Sequence, residues 1–158
     1  MKEIMLVRID ERLLHGQVIT GWTKVKKINT ILIIDDESAN NQFTKRLLMA
    51  VAPKDMKVII DDFANGLAYL SDQSGDDKIM ILVKTPKVIL DLLNNSIEIN
   101  EVILGNMSAN ADRKRLNKNV SVTEEEKNDL KEIINHHCNV YLQMVITDKK
   151  EDVAKLLK

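Results

Sequence analysis

The 158-residue chain lacks most features that mark a secreted or nucleic-acid-binding protein. Its one cysteine, Cys138, cannot form an internal disulfide, which fits a reducing compartment and leaves no zinc-type cysteine spacing. Aromatic residues make up 3% of the chain and the formal net charge is −1, so neither base stacking nor a general positive field favours nucleic acid or anionic lipid. Proteins and small anions are therefore the expected partners.

The sequence also lacks long apolar runs, targeting signals and linkers. No run is long enough to span a bilayer, and the short apolar run in MKEIMLVRIDERLL is interrupted at Arg8, unlike the apolar region of a signal peptide. We therefore expect a cytoplasmic protein. With no repeat and no Gly-, Pro- and Ser-rich linker, residues 1–158 are predicted to form a single domain.

Short aliphatic runs alternate with amphipathic segments along the chain. The predicted strands are Ile4 to Ile9, Thr30 to Ile34, Lys57 to Ile60, Lys78 to Val83, Glu101 to Leu104, Val120 to Val122 and Asn139 to Val145. The predicted helices are Gly16 to Lys24, Asn40 to Val51, Asp62 to Ser71, Pro86 to Leu93, Glu124 to His136 and Lys149 to Leu157. Continuous aliphatic runs are typical of strands buried on both faces, so the pattern predicts an α/β fold with an open doubly wound, mostly parallel sheet and helices on both faces.

Helix-start signals support this assignment at two positions. Thr85 precedes Pro86, and Thr123 precedes three glutamates that end at Glu126, which predicts a capping box. Open parallel sheets bind ligands outside the carboxyl ends of their strands, so the loops after Ile9, Ile34, Val83 and Leu104 are the candidate sites. No Walker lysine loop or GxGxxG sequence follows any predicted strand, which argues against a nucleotide site.

The first of these loops, RIDERLLHGQVITGW (residues 8–22), concentrates the residues that could carry chemistry. His15 lies where the loop meets a predicted helix, whose first backbone N–H groups, on Gly16, Gln17 and Val18, would form an anion site beside the imidazole. Gly16 lacks a Cβ and would let a phosphoryl group approach the backbone closely. The ordinary alternative is a solvated loop histidine.

Charged residues in the same loop suit the handling of a phosphoryl group. Arg12 and Arg8 can pair with phosphoryl oxygens, while Asp10 can accept a hydrogen bond from the imidazole N–H that is not reacting. Imidazole is a good nucleophile near neutral pH and a good leaving group when phosphorylated, which suits a relay. We expect Nδ1 of His15 to carry the phosphoryl group, because that atom lies nearer the amides of the helix start.

The segment Arg8 to Trp22 closely resembles the phosphorylation loop of the IIB subunit in the mannose, fructose and sorbose family of the phosphoenolpyruvate-dependent sugar phosphotransferase system. Later stretches are similar to the family at corresponding points, so the resemblance covers essentially the whole chain. They are Lys84-Thr85-Pro86, Gly105-Asn106-Met107-Ser108, Val120-Ser121-Val122-Thr123 with the glutamates that follow, and Thr147-Asp148-Lys149-Lys150.

The resemblance implies a sugar phosphotransferase in which His15 is phosphorylated, Arg12 stabilises the transferred group and Asp10 orients the loop. It implies a phosphorylated IIA domain as donor, and a sugar held by the membrane subunits IIC and IID as acceptor. The chain would then associate peripherally with the inner face of the membrane, without metal or organic cofactor. Related subunits can also form homodimers.

One departure from the family concerns Gly105-Asn106. Relatives often carry two consecutive glycines there, so a tight turn in this chain would need Asn106 in a left-handed conformation or a different geometry.

Three weaker patterns have competing interpretations. Asp35 and Asp36, with Lys84 and Thr85, are reminiscent of a response-regulator receiver. A non-catalytic signalling or binding module of that fold is therefore the alternative function. In the phosphotransferase interpretation, the two aspartates are instead expected at the rim of the active loop, where they could pair with Arg8 or Arg12. The basic stretch Asp112 to Lys118 is either a solvated loop or a functional one that docks an acidic patch on a partner or draws in a phosphoryl group. His136-His137-Cys138 is a poor metal motif, because adjacent side chains point in different directions.

Overall fold

The structure is a computed structural model that describes the backbone of all 158 residues and every side chain except those of Gln17 and Val18. The strands are Glu3–Asp10 (β1), Thr30–Ile34 (β2), Lys57–Asp61 (β3), Lys78–Val83 (β4), Glu101–Asn106 (β5), Lys114–Asn117 (β6), Val120–Val122 (β7), Asn139–Leu142 (β8) and Glu151–Asp152 (β9). The helices are Gly16–Lys26 (α1), Asp36–Ala39 (α2), Gln42–Val51 (α3), Phe63–Ser71 (α4), Pro86–Asn94 (α5), Glu124–Asn135 (α6) and Val153–Leu156 (α7).

Seven strands form one sheet in the order β3-β2-β4-β1-β5-β8-β9, and β6 and β7 form a separate antiparallel ribbon. Every pairing in the large sheet is parallel except the last, between β8 and β9. The central strands are almost entirely buried, because helices cover both faces. The predicted open doubly wound, mostly parallel sheet is confirmed.

The two faces of the sheet have separate hydrophobic cores. Successive side chains of β1 point to opposite faces of the sheet, and Leu6 and Ile9 accordingly belong to different clusters. One cluster contains Ile19 and Trp22 of α1 and Leu48 of α3. The other contains buried side chains of α4, α5, α6 and α7.

Several predicted boundaries are corrected by polar contacts that local hydrophobicity does not reveal. The predicted helix Asn40 to Val51 corresponds to α3, which begins at Gln42 after the Asn41 cap, and a short helix that was not predicted, α2, precedes it after the Asp35 cap. The predicted strand Asn139 to Val145 ends at Leu142, and the carbonyls of Gln143 and Met144 then bind the side chain of Arg8.

The ends of the remaining elements show the same dependence on polar side chains. Part of the basic stretch predicted as loop is strand β6, whose turn to β7 is closed by Asn117 Oδ1 accepting from the backbone N–H groups of Asn119 and Val120. The predicted last helix starts later, at Val153, after the Asp152 cap. Pro86 begins α5 as predicted, but Thr85 makes no side-chain capping bond. The Thr123–Glu126 capping box is confirmed.

In the part of the chain that the structure describes, no helix is long and apolar enough to cross a bilayer.

Candidate phosphoryl-transfer site

The candidate site lies where β1 ends, near the middle of the sheet. The chain leaves β1 towards β2 on one side and later crosses to β5 on the other, so β1 marks the point where the order of strands reverses. Ligands of open parallel sheets bind at such a switch point, outside the carboxyl ends of the strands. Asp10, the last residue of β1, therefore lies at the position that the topology favours for a ligand.

Asp10 is the centre of the site and is completely buried. Its Oδ1 accepts hydrogen bonds from the backbone N–H and from Nε of Arg12, both at 3.0 Å. Its Oδ2 accepts from Arg12 Nη2 at 2.9 Å and from Arg8 Nη2 at 3.3 Å. Burial raises the pKa of Asp10, but the hydrogen bonds from Arg12 and the charges of both arginines outweigh it and leave the pKa below its ordinary value. Asp10 is therefore a fixed anion.

Arg8 supports Asp10 from inside the fold. Its side chain is fully buried, and its Nη1 and Nη2 donate to the carbonyls of Gln143 and Met144 at 2.9 and 2.8 Å. Its guanidinium carbon lies 5.7 Å from the centroid of the Trp22 ring, within cation–π range. Burial lowers the pKa of Arg8, while the charge of Asp10 acts in the opposite direction. These contacts favour a supporting role, and direct contact between Arg8 and a phosphoryl group stays a prediction.

Gly105 makes room for this buried guanidinium. A Cβ at Gly105 would lie 2.2 Å from Arg8 Nη2, closer than real contacts allow. The sequence predicted a tight turn with Asn106 in a left-handed conformation, or a different geometry, and the structure shows the second. Gly105 and Asn106 continue strand β5, Asn106 pairs with Asp10, and Asn106 does not have a positive φ angle.

Arg12 is the exposed cation of the site. Its side chain is 41% exposed, although Nε and Nη2 are bound to Asp10 and Nη2 also lies 3.4 Å from Met144 Sδ. The carboxylate of Asp10 raises the pKa of Arg12 through its hydrogen bond. One carboxylate and two guanidinium groups leave a net charge of +1 at the end of β1, which favours an incoming anion.

The loop between Asp10 and His15 is anchored by two apolar side chains. Leu13 donates its backbone N–H to the Asp10 carbonyl at 2.9 Å and has a φ angle of 55°, an uncommon conformation for a residue other than glycine. The side chains of Leu13 and Leu14 are buried in the core beneath α1. Such backbone strain persists when packing determines the conformation strongly, and it occurs often at functional sites.

His15 is the N-cap residue of α1, and its ring lies against Asp10. His15 Nε2 is 3.4 Å from Asp10 Oδ2, and the imidazole side chain is 23% exposed. The His15 side chain makes no capping bond to the helix, and Gly16 follows with a φ angle of 28° and open space around its Cα. Gly16 is thus at the helix start, as predicted. The side chains of Gln17 and Val18 lie outside the described residues, and the contribution of their backbone N–H groups to phosphoryl binding stays a prediction.

The surroundings of His15 lower its pKa and so favour its neutral form. Burial lowers the pKa of His15 below its ordinary value of 6.5, and the positive charge of Arg12 lowers it further. Asp10 acts in the opposite direction, yet the net shift is downward. An imidazole that stays neutral at neutral pH retains a lone pair for nucleophilic attack.

The structure thus brings Asp10, Arg12 and His15 together on one short loop. Asp35 and Asp36, for which pairing with Arg8 or Arg12 was one possibility, have other partners. Asp35 pairs with Lys84 at 3.2 Å, and Asp36 accepts a hydrogen bond from the backbone N–H of Phe63 at 2.9 Å. The possible pairing of these two carboxylates with Arg8 or Arg12 is therefore not found.

Sequence reasoning missed two sets of residues around the loop. The backbone carbonyls of Gln143 and Met144, which hold Arg8, leave no signal in side-chain chemistry. Glu11 and Arg113 form an ion pair beside the loop, although 102 positions separate them in sequence. The sequence marked Arg113 as part of a basic stretch, but only the fold shows that Glu11 is its partner.

Fold and site together define a class: an open, mostly parallel α/β protein with a histidine at the start of a helix, in contact with a buried aspartate that also binds an exposed arginine. The profile of the family described as "PTS system sorbose subfamily IIB component" matches residues 4–158. The chain belongs to this family of sugar phosphotransferase IIB components, as the resemblance of its active loop predicted.

Individual relatives agree with this assignment over the full length of the chain. The fructose-specific EIIB component of Bacillus subtilis (strain 168) is 30% identical over 161 residues, covering 100% of this chain and 98% of the relative. The mannose-specific EIIAB component of Escherichia coli K12 is also 30% identical, over 98% of this chain but 48% of its own length. The crystal structure of the IIBSor domain of the sorbose permease from Klebsiella pneumoniae superposes with a TM-score of 0.94 at 28% identity, over 98% of this chain and 96% of that one.

Proposed function

We propose that this chain is a phosphoryl carrier, which accepts a phosphoryl group on His15 from a histidine-phosphorylated IIA domain and passes it to a sugar bound by the membrane subunits IIC and IID. The observation that carries the proposal is the contact of His15 Nε2 with the buried carboxylate of Asp10, beside the exposed guanidinium of Arg12. Family membership supports sugar phosphotransfer as the reaction class. The chain would work on the cytoplasmic side of the membrane, held there by its partners.

The contact with Asp10 favours Nδ1 of His15 as the nucleophile. An ionised carboxylate can only accept hydrogen bonds, so the proton of the neutral imidazole belongs on Nε2, which faces Asp10 Oδ2. Nδ1 then carries the lone pair. In the forward step, Nδ1 attacks phosphorus, a new N–P bond forms, and the N–P bond to the donor histidine breaks, with its electron pair returning to the donor imidazole.

Asp10 and Arg12 have complementary roles in this step. Phosphorylation of Nδ1 gives the His15 ring positive charge while the proton stays on Nε2, and the carboxylate of Asp10 stabilises that charge. The partly exposed Arg12 guanidinium binds the same Asp10 Oδ2 that His15 contacts, and it can pair with the oxygens of the moving group. The free N–H groups at the start of α1 add favourable partial charge for an anion.

Transfer to the sugar would reverse the bond changes at His15. A sugar hydroxyl oxygen attacks phosphorus, the N–P bond breaks, and the electron pair returns to Nδ1, which restores the neutral imidazole. The hydroxyl proton has to pass to a base on the membrane subunit or to water, since Asp10 is already bound by two arginines. No metal or organic cofactor enters either half of the proposed relay.

The direct test is incubation with a phosphorylated IIA donor. We expect acid-labile, alkali-stable phosphate on this chain in wild type and none in His15→Ala. His137→Asn is the matched control, because His137 is an exposed histidine whose positive φ angle asparagine tolerates. Phosphate on an aspartate, or none on wild type, would favour the signalling-module alternative.

The nitrogen assignment has its own measurement. Phosphorus and nitrogen NMR distinguish Nδ1- from Nε2-phosphohistidine, and we expect the Nδ1 isomer. A clean Nε2 signal would contradict the proposed role of Asp10 as the partner of Nε2, while leaving His15 as the phosphorylated residue.

A further inference from the structure

A second charged cluster lies beside the active loop, formed by Glu11, Arg113 and Glu126. Arg113 precedes strand β6, Glu126 lies in the first turn of α6, and Glu11 stands between Asp10 and Arg12. The Arg113 side chain is only 10% exposed, so these ion pairs are better shielded from solvent than typical surface pairs. Nothing in the proposed reaction uses this cluster directly.

Glu126 holds one side of the Arg113 guanidinium rigidly. Arg113 Nε and Nη2 donate to Glu126 Oε1 and Oε2 at 2.9 and 2.8 Å, which is a bidentate pair. Glu126 Oε1 also accepts the backbone N–H of Thr123 at 2.9 Å as part of the capping box of α6. The position of Arg113 is therefore fixed by the N-terminus of a helix that belongs to the core.

The remaining nitrogen of Arg113 points towards the active loop. Arg113 Nη1 donates to Glu11 Oε1 and, at 2.8 Å, to the backbone carbonyl of Ser108. Glu11 Oε2 accepts the backbone N–H of Ser108 at 3.0 Å, and the Glu11 backbone N–H donates to the Asn106 carbonyl at 3.1 Å. Glu11 is thus tied by both its backbone and its carboxylate to the segment that follows Gly105.

We propose that Arg113 is a positioning residue for phosphoryl transfer, which holds Glu11 so that Asp10 and Arg12 keep the geometry needed at His15. The inference rests on the proposed phosphorylation of His15. The turn that starts at Asp10 contains Leu13 at a φ angle of 55°, a conformation that needs support from its surroundings. Leu13 and Leu14 anchor the far side of the turn, and the Arg113–Glu11 pair anchors the near side.

The same contacts separate Arg113 from the rest of the basic stretch. All three guanidinium nitrogens of Arg113 are bound within the protein, so Arg113 does not offer a free cation to a partner. Lys114, Arg115 and Lys118 are exposed instead. Arg115 lies on the same ribbon, and its hydrogen bond in the described residues is a local one to the Asn117 carbonyl, which makes it a matched control.

The test is rapid-quench measurement of phosphoryl transfer from the phosphorylated IIA donor over a range of donor concentrations. A small misplacement of reacting groups costs up to about a hundredfold in rate. We expect Arg113→Ala to lower kcat about tenfold to a hundredfold with the KM for the donor little changed, and Arg113→Lys to recover part of the loss. Arg115→Ala should leave kcat at the wild-type value.

Glu11→Gln tests the pathway through Glu11. It should reproduce the loss in kcat, and the double variant with Arg113→Ala should be no slower than the slower single variant, because both break one connection. An unchanged kcat in Arg113→Ala, a change confined to KM, an equal loss in Arg115→Ala, or additive losses in the double variant would each overturn the positioning role.

An NMR measurement keeps this inference separable from the proposed function. The backbone amide resonance of Ser108 should move in both Arg113→Ala and Glu11→Gln, because its hydrogen bond to Glu11 weakens, and hydrogen exchange of the Glu11 amide should become faster. Unmoved resonances would refute the connection even in a protein that is phosphorylated normally. Absence of phosphate on wild-type His15 would refute the proposed function, whatever the NMR shows. If Arg113→Ala fails to fold, Arg113→Lys and Glu11→Gln carry the same comparison.

Discussion

Two aspartates at strand ends, Asp10 as the last residue of β1 and Asp35 directly after β2, look alike in the sequence but have different structural roles. Asp10 is fully buried and binds two arginines and a histidine. Asp35 caps α2 by accepting from the backbone N–H of Ser38 at 3.1 Å and from its hydroxyl at 2.5 Å, and it pairs with the partly exposed Lys84. An acid–cation pair at a strand end is therefore not enough to make a site.

The difference lies in which side chains each carboxylate brings together. The contacts of Asp10 hold His15 and the exposed guanidinium of Arg12 next to each other. Among the described residues, the Asp35 carboxylate binds Ser38 at the helix cap and pairs with Lys84, and neither partner is a nucleophile candidate from the sequence. This comparison also weakens the receiver-like interpretation, which depended on Asp35, Asp36, Lys84 and Thr85 acting together.

The largest expected effect is the loss of phosphorylation in His15→Ala. The imidazole makes no capping bond to α1 and is partly exposed, so its removal should leave the melting temperature nearly unchanged. Phosphate incorporation and thermal unfolding measure the two effects separately. If the variant still incorporated phosphate, His15 would not be the phosphorylated residue.

Arg12→Ala should slow transfer by about a hundredfold to a thousandfold, the usual cost of removing one electrostatic donor from a transition state. Arg12→Lys should recover only part of the rate, because the planar fork that binds Asp10 is lost. The matched control is Lys84→Ala, which removes the cation paired with Asp35, and we expect it to transfer at the wild-type rate. Rapid-quench kinetics measures both rates, and a slower transfer in Lys84→Ala than in Arg12→Ala would contradict the role proposed for Arg12.

Folding stability should separate the two aspartates. Asp10→Asn leaves the buried Arg8 without its counter-charge, and we expect a loss of about 3–5 kcal/mol in the free energy of unfolding. Asp35→Ala removes a helix cap and leaves a partly exposed lysine unpaired, which should cost about 1 kcal/mol. Urea unfolding of both variants gives the comparison, and equal losses would contradict it.

The smallest expected effect is on the titration of His15. Its pKa should lie below 6.5 in wild type and rise in Arg12→Ala, because the guanidinium charge disfavours the imidazolium. The folded protein therefore binds fewer protons at His15 than the unfolded chain does, and this contribution to stability is lost as the pH falls below about 6.5. NMR titration of the ring protons measures the pKa directly. A His15 pKa above 6.5 in wild type would contradict the neutral nucleophile, and Lys84→Ala should not move it.

The sequence by itself determined the parallel α/β architecture, because aliphatic runs such as Thr30–Ile34 can be buried only between two layers of helices. It also placed Asp10, Arg12 and His15 in one site, since all three lie on one short loop where local sequence sets their proximity. The capping box of Thr123 and Glu126 was likewise readable, because its hydrogen bonds join residues three positions apart.

Only the tertiary structure decided how that loop is held. Arg8 binds carbonyls more than 130 positions away, Gly105 provides the space for its guanidinium, and Arg113 reaches Glu11 across 102 positions. For the same reason, Asp35 pairs with Lys84 and not with Arg8 or Arg12. Such contacts depend on which strands are neighbours in the sheet, and strand order is set by the packing of the whole chain, which no local pattern of residues specifies.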